Sequence, residues 1–341
     1  MRTKVVLINP LRPRAEKINT AAGVIRRGDL VAFPTETVYG LGANALDRKA
    51  VRKIFLAKGR PSDNPMLVHI SEKKDLQKLA KEVPPQATKL VGRFWPGPLT
   101  IVLKKSRIVP CVVTAGLKTV AIRMPANKIA LELIRKSGVP IAAPSANRSG
   151  KPSPTSAEHV LQDMDGRISL ILDGGKTKIG IESTVVDLSG KTPILLRPGK
   201  ITAEQLRSVL GRIEIHPGVK GTKRPKKARS PGMKYIHYAP NARVILVYGD
   251  RYKTLVKIKG IIRDCKRTGK KTGTIGFRDY GSETKFVCKT VGGMAKNLFR
   301  KFREFDGKKV DVILVEGVKD EGMGLALMNR LKKAASEICK V

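Results

Sequence analysis

No apolar run in this 341-residue sequence approaches the roughly 20 residues that a membrane-spanning helix requires. The apolar share of 41% is nevertheless ordinary for a globular chain, so the expectation is a soluble protein with no membrane partner. The basic start is followed only by the short apolar stretch Val5 to Ile8 before Asn9 and Pro10, too brief for a signal-peptide core. Cysteine is scarce and dispersed: Cys111, Cys265, Cys288 and Cys339 form no C-x-x-C pair, which argues against a structural zinc and against a disulfide framework. The histidines His69, His159, His216 and His237 are equally scattered, so no protein-built metal cage is expected. A reducing, cytoplasmic setting fits this cysteine usage.

Acidic residues are also in short supply. The chain has 28 Asp and Glu against 68 Lys and Arg, a formal net charge of +40. An ion-pair-rich surface would need matching acids, and they are absent. The imbalance points instead to polyanionic partners such as RNA or nucleotides.

Length suits two domains, each able to bury its own core. In the first part, Arg14 to Arg27 reads as a helix closed by Gly28, followed by a strand over Leu30 to Phe33. Asp47 caps a predicted helix from Arg48 to Lys58 that stops at Gly59. Extended runs follow at Met66 to Ile70, Leu99 to Leu103, Thr119 to Met124, Pro140 to Ala143, Ile168 to Leu172 and Ser183 to Leu188. Thr155 with Glu158, and Thr202 with Gln205, have capping-box spacing. Between about Ile213 and Asn241 the composition turns to proline, glycine and base, which reads as a linker. After it, strands at Arg243 to Tyr248, Thr272 to Phe277 and Val310 to Glu316 alternate with helices at Tyr252 to Cys265, Gly293 to Glu304 and Leu325 to Cys339. The expected class is α/β: a twisted sheet domain over residues 1–212, a linker over 213–241, and a small Rossmann-like parallel-sheet domain over 242–341.

Two phosphate-loop patterns fail on their context. Gly174-Gly175-Lys176-Thr177 lacks the first glycine of a P-loop, since Leu170 stands there. Gly40-Leu41-Gly42-Ala43-Asn44-Ala45 matches a dinucleotide fingerprint, but Pro34-Thr35-Glu36-Thr37 interrupts the strand that should lead into it. What remains is a series of small polar and basic residues, each at the end of an extended segment or helix. Hydroxyls at Thr35 and Thr37 can bond a polar substrate. Lys58 and Arg60 either cap helix carbonyls or stabilise a transferring phosphoryl group. Arg123 ends an apolar strand and wants a carboxylate or phosphate. Ser145-Ala146-Asn147, Ser149-Gly150, Ser183-Thr184 and Arg197-Pro198-Gly199 emerge where α/β sheets bind ligands. No Ser-His-Asp or two-carboxylate set suggests a hydrolase.

Pro34 to Gly42, Lys58-x-Arg60 and Ser145-x-Asn147, in this order, resemble the signatures of the YrdC-like family, the threonylcarbamoyl-AMP synthases of tRNA modification. Residues 240–341, with Gly324 to Leu331, resemble the extra C-terminal domain of the longer, two-domain branch. The resemblance implies that L-threonine, bicarbonate and ATP give threonylcarbamoyl-AMP and pyrophosphate, for a separate transfer complex acting on ANN-decoding tRNAs. It implies catalytic work by Lys58, Arg60, Ser145 and Asn147. Threonine would be held by Thr35, His69, Arg123, Ala143 and Ser183, with Arg123 receiving its carboxylate. ATP would meet Lys58, Ser62, Thr119, Ser145, Ser153 and Arg197, and bring its own Mg2+. Tyr235, His237 and Tyr238, in the linker, are expected to close as a lid over the fragile carbamate. Direct RNA binding is consistent with the charge, and a non-enzymatic double-stranded RNA binder is the alternative reading. A carbamoyl-transfer module of hydrogenase maturation would carry paired C-x-x-C motifs, which this chain lacks.

Overall fold

Frequent glycine and proline break the chain into short elements, which the computed structural model describes for residues 2–219 and 238–341. These residues fall into two compact units, one of residues 2–149 and 153–219, the other of Gly150–Pro152 with 238–341. No helix among the described residues is long and apolar enough to cross a membrane.

The first unit begins with β1 (Lys4–Leu7), α1 (Ala15–Arg26), β2 (Val31–Phe33), β3 (Gly40–Asn44), α2 (Arg48–Lys58) and β4 (Leu67–His69). It continues with α3 (Asp75–Leu79), α4 (Pro85–Phe94), β5 (Leu99–Lys104), α5 (Cys111–Thr114), β6 (Thr119–Arg123), α6 (Lys128–Ser137) and β7 (Ile141–Ala142). Then come α7 (Ala157–Met164), β8 (Leu170–Asp173), β9 (Thr184–Asp187), β10 (Ile194–Arg197), α8 (Ala203–Leu210) and β11 (Glu214–Ile215). The strands form one 11-stranded sheet in the order β1-β8-β2-β3-β7-β4-β6-β5-β9-β10-β11. Pairing is mixed: β4 and β6 are parallel, as are β5 and β9, whereas β3 and β7, β5 and β6, and β9 and β10 run antiparallel. Ile18 and Ile25 of α1 and Ile129 and Leu133 of α6 bury their apolar faces with Val31, Phe33, Leu170 and Leu172. That burial supplies most of the stabilisation a helix lacks on its own.

Local chemistry sets the helix ends that matter for function. Asp47 accepts hydrogen bonds from the amides of Lys49 and Ala50, at 2.7 and 3.2 Å, and so starts α2. Gly59, at φ 59°, takes the left-handed conformation that stops it, which leaves Lys58 as the last helical residue. The Thr202–Gln205 capping box is present at α8. At α7 the cap is Ser156, one residue after the expected Thr155, because the Ser156 hydroxyl is the one that accepts from His159. Gly40–Asn44 is itself a strand, paired with β2 and β7, and this removes it as a phosphate loop. A Cβ at Gly42 would come within 2.8 Å of Phe33 and Ile141, so glycine here permits close packing.

The second unit contains β12 (Arg243–Tyr248), α9 (Arg251–Arg267), β13 (Thr272–Gly276), β14 (Thr284–Val287), α10 (Val291–Gly307), β15 (Val312–Glu316), α11 (Met323–Ala334) and β16 (Glu337–Lys340). Its five strands are all parallel, in the order β14-β13-β15-β12-β16, as a Rossmann-like sheet requires. The predicted last helix is too long: α11 ends at Ala334, and Glu337–Lys340 returns as an edge strand beside β12. Half-exposed alternation in that tail, with Ile338 outward, is the period-2 signal of an edge strand. The same alternation marks β14, which the sequence reading passed over.

Candidate functional site

Lys58 is carried by the end of α2 and is buried despite its charge. Its ammonium donates to the carbonyl of Ser145 at 2.5 Å and to that of Asn147. The Lys58 carbonyl in turn accepts from the Ser149 amide at 2.9 Å. Within the turn, the Ser145 hydroxyl donates to the Asn147 side-chain oxygen at 2.6 Å. The two signatures Lys58-x-Arg60 and Ser145-x-Asn147, 87 residues apart at Lys58 and Ser145, are therefore one hydrogen-bonded structure. Arg60 donates to the carbonyls of Asn64 and Pro65 at 3.2 and 2.9 Å. It braces the turn that follows the helix.

Arg123 and His69 end two parallel neighbours, β6 and β4, and their Cα positions are paired. Arg123 is 3% exposed and its guanidinium is surrounded: Nε donates to the Gly97 carbonyl at 3.2 Å, Nη1 to the Thr37 hydroxyl at 3.0 Å, and Nη2 lies 2.7 Å from Glu36 Oε1. Thr37 and Thr35 share a hydroxyl contact of 2.8 Å, and Thr35 donates to the Val38 carbonyl at 2.6 Å, so the turn after β2 is held by its own side chains. His69 is buried edge-on to Phe33. Burial, and next the positive charge of Arg123, push its pKa down from 6.5 to about 3. The ring is neutral at any working pH. Ala143 is buried nearby in sequence pairing, its amide donating to Leu67 at 2.9 Å.

Parallel β5–β9 and antiparallel β9–β10 bring three further residues together. Ser183 precedes β9, and its hydroxyl lies 2.8 Å from that of Thr100. Arg197, the last residue of β10, donates to the Ser183 carbonyl at 2.9 Å and to its hydroxyl at 3.0 Å. Ser153 donates to Glu182 at 2.6 Å, and both are buried. Backbone bonds join these groups to the turn after β2: Tyr39 to Pro154, Ala146 to Tyr39, Ile179 to Glu36 and Gly180 to Thr37, all between 2.9 and 3.0 Å. Thr35, Lys58, Arg123, Ser145, Asn147, Ser153, Ser183 and Arg197 thus belong to one connected network in the first unit.

Ser62 is exposed in the turn after α2. Thr119 begins β6 where Arg123 ends it, about 13 Å along the strand. It lines a cavity of about 320 Å³ with Lys118, Asp187 and Ser189. Tyr238 is buried in the second unit, stacked on Phe299 at 5.0 Å. Tyr235 and His237 lie outside the described residues. Sequence reasoning gave no role to Glu36, Thr100 or Glu182. A carboxylate inside a hydroxyl-rich turn of so basic a chain was the available signal for the first.

Among the described residues no cluster of three or more His, Cys, Asp or Glu is placed to hold a metal ion. Fixed hydroxyls and buried cations can orient anionic groups and offset charge that develops on them.

Comparison with known proteins gives two family matches. The Sua5/YciO/YrdC model, described as "Telomere recombination", covers residues 23–199, and "Threonylcarbamoyl-AMP synthase, C-terminal domain" covers 201–336. The chain is 57% identical to a threonylcarbamoyl-AMP synthase of Pyrococcus abyssi, across 97% of both chains. It is 47% identical to that of Bacillus subtilis, across 98% of both. A crystal structure of P. abyssi Sua5 complexed with L-threonine superimposes with a TM-score of 0.96 at 56% identity, covering 99% of this chain and 100% of that one.

Proposed function

The chain belongs to the Sua5/YciO/YrdC family in its longer, two-domain form, and from that premise we propose that it is an L-threonylcarbamoyladenylate synthase. The reaction joins L-threonine, bicarbonate and ATP, releases pyrophosphate, and supplies the group that a separate complex places on the N6 of an adenosine in ANN-decoding tRNAs. The relatives' names favour this reading over a non-enzymatic double-stranded RNA binder. Residues 1–212 are the proposed catalytic domain and 242–341 the accessory one, with the linker 213–241 between them. The setting is the cytoplasm.

One observation carries the reading: Lys58, Ser145 and Asn147 hold one another in the same connected network that contains Arg123, Ser183 and Arg197. Arg123 takes the threonine carboxylate, with Thr35, His69, Ala143 and Ser183 around the rest of the amino acid. Neutral His69 suits this place, because a second cation would cost far more than a hydrogen-bonding ring. Lys58, Ser62, Thr119, Ser145, Ser153 and Arg197 meet ATP, and Lys58, Arg60, Ser145 and Asn147 do the catalytic work. Mg2+ enters as part of the ATP substrate, held by its phosphates and waters. Threonine's amine attacks the bicarbonate carbon and water leaves, giving a carbamate whose oxygen attacks the α-phosphorus as pyrophosphate departs. The catalyst must align two anions and stabilise charge at the transferring phosphorus. The proposed lid residues are Tyr235, His237 and Tyr238.

The test uses labelled ATP, L-threonine and bicarbonate with the wild type and Lys58→Ala, and measures pyrophosphate. Release by the wild type must require threonine and bicarbonate together, and the variant should lose about a hundredfold or more. Release that ignores either substrate refutes the reading, and a melting curve for the variant separates lost chemistry from lost fold.

A further inference from the structure

Buried polar atoms in folded proteins are nearly always hydrogen-bonded, so a group of them left unmet marks a place where something else binds. Such a group lies between the turn after β2 and the ends of β4 and β6. Glu36 is 5% exposed, and neither of its carboxylate oxygens has an aligned hydrogen-bond donor. Oε1 lies 2.7 Å from Arg123 Nη2, close enough for an ion pair but without hydrogen-bond alignment, and Oε2 has no donor. His69 Nδ1 is likewise buried without a hydrogen-bond partner, and Arg123 Nη2 is met only by the Glu36 ion pair. The position of Glu36 is not incidental, because its own carbonyl accepts from Ile179 and the next hydroxyl, Thr37, accepts from Arg123.

The demands of these atoms differ in kind. An ionised carboxylate offers about four acceptor sites and no donor, and a guanidinium is purely a donor. A simple anion would satisfy Arg123 and leave Glu36 worse off, by bringing a second negative charge beside it. A ligand with both an acceptor carboxylate and a donor nitrogen a short distance away satisfies both. An α-amino acid has that pattern. Resting on the threonine reading of the site, we propose that Glu36 receives the substrate's α-nitrogen, and that the Arg123–Glu36 pair therefore selects an amino acid over an amine-free hydroxy acid. The contact survives conversion of ammonium to carbamate, since the carbamate nitrogen keeps one N–H to donate. Charge balance favours this division as well: the negative charge that appears on the carbamate sits on its oxygens, away from the nitrogen that Glu36 holds.

The test compares L-threonine with 3-hydroxybutyrate, which keeps the carboxylate, the β-hydroxyl and the methyl group but has no amine. Binding to the full-length protein is measured by calorimetry without ATP or bicarbonate. Wild type should prefer threonine by about ten- to a hundredfold, the scale of one hydrogen bond to a charged group. In Glu36→Gln that preference should collapse, with threonine weakened by about this factor and 3-hydroxybutyrate unchanged or tighter. Equal weakening of both ligands in the variant would mean that Glu36 serves only to hold Arg123, and the inference would be overturned. If the variant does not fold, the wild type alone decides: a preference below about threefold shows that no group reads the nitrogen. Failure of the wild type to bind threonine at all, or unchanged binding of both ligands in Arg123→Lys, overturns the threonine reading itself, a result distinct from either of these.

Discussion

Acidification from pH 8 to pH 5 should weaken the first unit through His69. The folded imidazole has its pKa lowered from 6.5 to about 3, by burial first and Arg123 second, so between those values the unfolded chain binds a proton that the folded chain refuses. Stability from this residue is fully present above pH 6.5, falls as pH drops below that value, and reaches its floor near pH 3. At pH 5 the loss is about 2 kcal/mol, and over the whole window about 5 kcal/mol. The assay is urea unfolding of wild type and His69→Gln at both pH values, followed by tryptophan fluorescence. Trp95 is the sole tryptophan, 4% exposed, with its ring N–H bonded to the Leu99 carbonyl at 2.7 Å, so the signal reports the first unit. Gln cannot be protonated, and the variant should lose less stability on acidification than wild type, by about 2 kcal/mol. An identical loss in the two proteins would show that His69 titrates normally, and the argument that the site excludes a second cation would fail with it.

Two further substitutions probe the supports of the site. Asp47→Ala removes the cap of α2 and should cost about 1 kcal/mol in the same urea assay, with pyrophosphate release reduced in proportion to any fraying that reaches Lys58. A full loss of activity with no loss of stability would contradict the capping role. Gly199→Ala would push a methyl to 2.5 Å from the Thr184 amide and 2.8 Å from the Ser183 carbonyl carbon, so backbone has to move. About 1–3 kcal/mol of stability should be lost, together with threonine affinity, because Ser183 is displaced from Arg197. Wild-type binding and stability in that variant would show that the segment has room to yield.

Elements whose ends carry their own chemistry were legible in the sequence. Asp47, Gly59 and the Thr202–Gln205 pair state where a helix starts or stops, and α2 and α8 lie where they indicate. The alternation of strand and helix after the linker likewise gave a parallel sheet, since each strand is a short apolar run followed by an amphipathic helix. Legibility failed where tertiary contact overrides local signal. Gly40–Asn44 is a strand because it pairs with β2 and β7, with Gly42 packed closely on Phe33 and Ile141, which no local rule encodes. Glu337–Lys340 follows helical periodicity closely enough to extend α11 on paper, but hydrogen bonding to β12 captures it as an edge strand. At the site, Lys58 was visible as a cation at a helix end, and its choice between structure and chemistry was not. In the fold its ammonium holds the Ser145–Asn147 turn, and the Lys58→Ala assay tests its proposed part in the chemistry.

The net charge of +40 misleads about the interior. Read as composition, it predicts sites built from cations that attract phosphate, and the carboxylates look like a thin minority scattered over a basic surface. Yet Glu36 and Glu182, two of the few acids, are buried within the network, one beside Arg123 and the other accepting from Ser153. Burying a carboxylate costs several kcal/mol unless it is paired or bonded, so a chain that can place its scarce acids anywhere must gain something by placing them here. A pocket lined by cations alone would bind bicarbonate, pyrophosphate and threonine with little discrimination, because attraction between unlike charges carries no shape. An interior carboxylate supplies the discrimination by penalising any ligand that brings negative charge without a donor beside it. On the proposal above, the external excess of base would draw anions toward the protein, and Glu36 would favour an amino acid over an amine-free acid at the Arg123 subsite.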